Sequence, residues 1–131
     1  MLFHMFSSQA ERRKFGGSDF IEIQFCRMPQ NVEVEKIIAV DCINHWRDDS
    51  LYVSGDDDGA FVEEYGSILG QGIYNNLESG PIDPCGINYY GPDAIDPIIA
   101  KLLHIRPTDY ERLVAWLNTA KEYNGFYILG V

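Results

Sequence analysis

The chain closes on Phe126–Val131, a run that is apolar at alternate and intervening positions alike. An extended segment of this kind has no side to give to water, so it belongs inside a sheet and not at its edge. Asp19–Arg27 is a candidate companion. Ile21, Ile23 and Phe25 face one way and Glu22 and Gln24 the other, the pattern of a half-buried strand. Leu51–Val53 and Gly86–Tyr90 read as shorter strands, with Ser79–Pro84 a loop between helix and strand.

Helical spacing fills most of the remainder. Val34, Ile38, Cys42 and Trp46 recur every fourth residue with Ile37 beside them, which predicts an amphipathic helix over Val32–Trp46. Phe61, Tyr65, Ile68, Leu69, Gly72 and Ile73 predict another over Ala60–Asn76. Asp96-Pro97 suits an N-cap followed by a first-position proline, opening a short helix through Leu103. Thr108-Asp109-Tyr110-Glu111 has the form of a capping box; the stripe Tyr110, Leu113, Val114, Leu117 continues it until Asn124-Gly125. The expected fold is α+β, about four helices packed on a small sheet as a single layer pair. The 131 residues carry no repeat or dividing linker, so one globular domain over 1–131 is expected.

Charge is distributed unevenly. Residues 1–47 balance, residues 97–131 are net +1, and residues 48–96 hold eleven acids and no Lys or Arg. A one-signed region of this size repels nucleic acid and anionic lipid and draws in cationic surfaces. No direct nucleic-acid or membrane partner is therefore expected, and no apolar run approaches the ~18 residues of a membrane span. Met1–Phe6 is apolar but precedes the basic Arg12-Arg13-Lys14, the reverse of a secretory signal, which makes the cytoplasm the expected compartment. Cys26, Cys42 and Cys85 are too widely spaced for a metal knuckle and are expected to be buried thiols.

Motifs for chemistry are scarce. Neither a phosphate-binding GxxxxGK[ST] nor a GxGxxG is present, His4, His45 and His104 stand in no ligand spacing, and Gly66-Ser67-Ile68 lacks the nucleophile-elbow frame. Ser54–Gly59 imitates a calcium loop, with Asp56, Asp58 and Gly59 at its third, fifth and sixth positions. Ser54 and Tyr65 stand where the first and twelfth need carboxylates, so a solvated acidic turn is expected instead. The expectation is a non-enzymatic protein without metal or cofactor that binds a basic partner. Asp56, Asp57, Asp58, Glu63 and Glu64 are the first candidate contact group; Asp93, Asp96 and one of Tyr89 or Tyr90 are the second. Each acid also has a plainer role as solvated surface, and Asp56–Asp58 ahead of a helix would face its dipole for about 0.3–1 kcal/mol each.

The stretch Asp83-Pro84-Cys85-Gly86-Ile87-Asn88-Tyr89-Tyr90, the helix carrying Trp116-Leu117 and the ending Asn124–Val131 resemble immunity proteins of bacterial contact-dependent growth inhibition systems, in particular those paired with ribonuclease toxins. The resemblance covers about the last 50 residues and the acidic helix Ala60–Asn76. It implies a small cytoplasmic inhibitor that covers one toxin domain and shares no catalytic residues with its relatives. A nuclease cleft is lined with cations because its substrate is a polyanion, so carboxylates on an inhibitor imitate phosphate and speed association. The competing expectations are a non-enzymatic acidic adaptor or regulator, and a small enzyme or metal-binding protein whose site assembles only in the fold.

Overall fold

The computed structural model describes residues 1–16 and 19–130 and has an α+β fold built on one six-stranded antiparallel sheet. The strands are β1 (Phe20–Phe25), β2 (Leu51–Ser54), β3 (Gly72–Ile73), β4 (Ser79–Gly80), β5 (Ile87–Tyr90) and β6 (Phe126–Leu129). Their order is β2-β1-β6-β5-β3-β4. β6 thus lies between β1 and β5, pairing Ile23 with Ile128 on one side and Tyr89 with Tyr127 on the other. An interior place is what its two apolar faces require; Val131 lies outside the described residues.

Side chains alternate across the sheet. Ile21, Ile23, Phe25, Leu51, Val53, Tyr90, Phe126 and Ile128 face one way, into the main core. Helices α3 (Asp58–Tyr65), α4 (Pro92–Ile105) and α5 (Tyr110–Ala120) cover that face with Phe61, Tyr65, Ile95, Leu102, Leu113, Trp116 and Leu117. Trp116 stacks on Phe25 with ring centroids 4.1 Å apart and donates its indole N–H to the Asp49 carbonyl at 2.8 Å.

The opposite face is also covered, which corrects the reading of β1 as half-buried. All six of its residues are buried, Glu22 and Gln24 included. Half of that face lies under residues 26–43, with Cys26, Ile37, Ile38 and Ile43 packed on Tyr89, Tyr127 and Leu129. The other half carries Phe6, Phe20, Tyr52 and Trp46. The long helix expected over Val32–Trp46 is replaced by one turn, α2 (Val34–Ile37), and a 3-10 turn at Val40–Cys42. Its backbone is claimed by sheet side chains instead: the Tyr127 hydroxyl donates to the Ile37 carbonyl, and Gln24 Nε2 donates to the Asn44 carbonyl at 2.6 Å. Val32, Val34, Ile37, Ile38, Val40 and Ile43 are β-branched and weak helix formers, so the sheet wins this competition.

Further expectations change in detail; Ser79–Gly80, expected in a loop, pairs with Gly72–Ile73 as β4. The helix expected over Ala60–Asn76 stops at Tyr65, because Gly72 joins the sheet where only glycine fits: a Cβ there would lie 2.7 Å from Asn88 Cβ and from the Tyr90 ring. The helix expected to open at Asp96-Pro97 opens one turn earlier, with Gly91 as its cap and Pro92 in the first turn, leaving Pro97 inside it. The capping box at Thr108 does not form. Asp109 is the cap, in the left-handed region at φ +61 with no side-chain cap bond, and the Thr108 hydroxyl goes to Glu64. Cys26 is buried as expected, whereas Cys85 is exposed; the Cys42 side chain lies outside what is described.

Periodicity predicts no element for the N-terminal residues. His4 pairs with Tyr52 in an antiparallel bridge along the outer edge of β2, and Phe3 enters the main core against Phe61 and Tyr65. Helix α1 (Gln9–Phe15) follows, its Ser8 cap accepting the Glu11 N–H. Ser8-x-x-Glu11 is the signal that announces it.

Candidate functional site

The strands bring the start of β1 beside the end of β2, and acids gather there. The Gly55 N–H donates to the Asp19 carbonyl at 2.8 Å, so two segments 36 positions apart in sequence are laced together. Ser54 then accepts the Asp56 N–H and caps a 3-10 turn, Gly55–Asp57, that runs into α3. Asp19, Asp56 and Asp58 end up around one open cleft of about 850 Å³, also bordered by Phe15, Phe20 and Cys85. Asp56 and Asp58 are exposed, and among the described residues neither side chain joins an ion pair. Asp58 lies in the first turn of α3, so the helix dipole favours its charge as well.

The rest of the first group divides. Glu63 is exposed on α3. Asp57 is half-buried near His4, where its charge opposes the burial that lowers the His4 pKa. Glu64 is committed internally. Its Oε1 accepts the Thr108 N–H at 3.1 Å and the Thr108 hydroxyl at 2.7 Å, tying α3 to the α4–α5 loop. Tyr65 reinforces that tie by donating to the Thr108 carbonyl.

The second group is not part of this end. β5 runs toward α4, so Asp93 and Asp96 sit beyond the opposite end of the sheet. Six residues of β1 at ~3.3 Å each span about 20 Å, more than two Debye lengths at physiological salt. The two groups therefore act as separate charges. Asp93 is exposed, and Asp96 pairs with Lys121 at 2.8 Å. Tyr89 and Tyr90 are both buried, each 3% exposed, and neither is available to a partner. They point to opposite faces as strand neighbours must, but both faces are covered. Tyr90 stacks on Phe126 and donates to the Leu69 carbonyl at 2.7 Å, while Tyr89 donates to the Asn124 carbonyl at 2.7 Å. Burial pushes both phenol pKa values well up.

Of the other central acids, Asp49 pairs with Arg27, Asp83 accepts the Cys85 N–H at 2.9 Å, and Glu78 is bonded to Asn76. The acids thus fall into several groups, and at the start of β1 exposed carboxylates adjoin one cleft and, among the described residues, join no ion pair. Asp19 belongs to it although it lies outside the base-free stretch; no sequence spacing announces it, because only the pairing of β1 with β2 brings it in. His45, Asp83 and Cys85 border a second cleft of about 450 Å³. Among the described residues no three His, Cys, Asp or Glu side chains converge as metal ligands would. No helix among them is long and apolar enough to cross a membrane.

A ring cage that no sequence spacing announces lies on the second face of the sheet. The Arg12 guanidinium lies 5.6 Å from the Phe20 ring centroid, 6.0 Å from Trp46 and 5.4 Å from Tyr52. Behind it the buried Glu22 carboxylate accepts the Trp46 N–H at 2.7 Å, the Ser50 hydroxyl at 2.7 Å and Gln24 Nε2 at 3.0 Å, with the Tyr52 hydroxyl at 3.2 Å. Burial, and next the Glu22 charge, push the Tyr52 pKa well up. Comparison with family models, with curated proteins and with solved structures gave no match.

Proposed function

We propose that this chain is an immunity protein that works in the cytoplasm by binding, and that it neutralises a basic toxin domain through its acidic end. The observation that carries this reading is the cleft where Asp19, Asp56 and Asp58 meet and, among the described residues, join no ion pair. Exposed carboxylates that join no ion pair attract lysines and arginines of another polypeptide, and a ribonuclease toxin presents such residues where it holds RNA. The sequence resemblance to contact-dependent inhibition immunity proteins supports the same assignment. Asp56, Asp58, Glu63 and Asp19 are the assigned contacts.

Co-expression with the toxin fragment encoded beside the gene, followed by co-purification, tests the partner. Asp56→Lys combined with Asp58→Lys tests the surface. Association should slow by about tenfold or more at low salt, with thermal stability retained, because steering by opposite charge acts mainly on the on-rate. An unchanged on-rate removes the acidic end from the interface. A stable complex with a basic protein that is no toxin would favour the second reading, a non-enzymatic acidic adaptor.

A further inference from the structure

We propose that the cage formed by Phe20, Trp46 and Tyr52 is a binding site for an arginine side chain of a second polypeptide, held closed in the free protein by Arg12 of α1. Three rings around one guanidinium at 5.4–6.0 Å are within the range of cation–π attraction. The occupant in cis is an arginine, and its planar, weakly hydrated head is suited to ring faces.

The cage is built at a cost that simple packing does not require. Trp46 sits at φ +81, a conformation that a bulky residue rarely adopts. The Glu22 carboxylate holds it there through the Trp46 N–H, and the indole becomes a wall of the cage. Strain of this kind collects at binding sites, where the surrounding structure overdetermines it. Glu22 also lies against Tyr52, and its hydrogen-bond partners are neutral groups that leave its charge uncompensated, so it adds negative potential behind the rings.

The lid, by contrast, is lightly held. None of the residues of α1 is buried, and among the described residues no hydrogen bond or ion pair ties it to the body. Its ring contacts are Arg12 in the cage and Phe15 against His4, Phe6 and Phe20. It carries Arg12, Arg13 and Lys14 in its last turn, and Phe15 and Gly16 border the acidic cleft. A basic helix thus lies beside carboxylates and over a cation cage, the place a basic partner would take. Only the partner's identity rests on the function proposed above; the arginine selectivity of the cage does not.

The test uses the full chain and a small probe, N-acetyl-arginine amide, with neutral N-acetyl-citrulline amide as control. Trp46 and Trp116 are the two indoles, and their N–H resonances separate the cage from the core. In Arg12→Gln the probe should shift the Trp46 indole saturably, leave Trp116 in place, and half-saturate at least tenfold below the concentration needed for the unmodified protein. Citrulline amide should produce no saturable shift. A folded Arg12→Gln without a saturable Trp46 shift, or an equal response to citrulline, overturns the proposal. Arg12→Ala is the second variant; if both unfold, α1 belongs to the core and the displaceable lid is overturned. The probe experiment contains no toxin, so a failed Asp56→Lys, Asp58→Lys experiment leaves its result standing.

Discussion

The Glu22 carboxylate accepts the backbone N–H of Trp46 at 2.7 Å, across 24 positions of sequence, and so holds a tryptophan in the left-handed region at φ +81. One buried acid on a strand therefore sets the path of the loop that covers it. The same carboxylate accepts from Ser50 and Gln24 and lies 3.2 Å from the Tyr52 hydroxyl, whose single proton is shared with the Arg47 carbonyl at 2.8 Å.

Glu22→Gln follows from that geometry. The amide keeps the shape but replaces one acceptor with an NH₂ that faces other donors. Urea unfolding should show a loss of about 1–3 kcal/mol, the usual penalty for a buried polar group left without a partner. Stability within a few tenths of the parent would mean that the loop is held by its apolar contacts alone.

Trp116→Ala removes a ring stacked on Phe25 and set edge-on to Phe126. Denaturant titration should report a loss of about 3–5 kcal/mol. Trp116→Phe keeps an aromatic and gives up the indole bond to Asp49, so its loss should be smaller. Equal losses for the two would place the energy in the hydrogen bond rather than the packing.

Asp109 Oδ2 accepts the N–H groups of Leu2 at 3.1 Å and Phe3 at 2.9 Å, clamping the N-terminal residues onto the start of α5. Asp109→Ala loses both bonds and also puts a less tolerant residue at φ +61. Stability should fall by about 1–3 kcal/mol, and the Leu2 and Phe3 amides should exchange faster in hydrogen–deuterium exchange. Unchanged exchange at those two amides would show that Phe3 packing alone fixes this end.

Tyr52, Tyr65, Tyr89 and Tyr90 all have pKa values raised above 10.0, with burial the first cause in each. Above pH 10 the unfolded chain ionises these phenols while the folded one keeps them neutral, so the unfolded state binds fewer protons and stability falls as pH rises. The melting temperature should hold up to about pH 10 and drop steeply beyond it. Absorbance of phenolate at 295 nm should show these tyrosines ionising together with unfolding. Titration of all eight tyrosines near pH 10 in a protein that stays folded would contradict their burial.

The sequence by itself determined the strands β1, β2, β5 and β6, the helix that carries Leu113 and Leu117, though it ends at Ala120 and not at Asn124-Gly125, and the α+β class, because side-chain periodicity is a local record of which faces are apolar. It also located the acidic turn at Asp56–Asp58. It did not separate residues that serve the same face by different backbones. Val34, Ile38, Cys42 and Trp46 keep helical spacing, yet backbone groups along that segment, the Trp46 N–H and the Asn44 and Ile37 carbonyls, are taken by Glu22, Gln24 and Tyr127 from strands far away. Tyr89 and Tyr90 alternate as a strand should, but only the cover on both faces removes them from the surface. Asp19 joins Asp56, and Arg12 joins Phe20, Trp46 and Tyr52, through strand pairing and chain reversal. Hydrogen-bond partners and charge neighbours of this range are settled when the sheet closes, since local spacing carries no record of who pairs with whom.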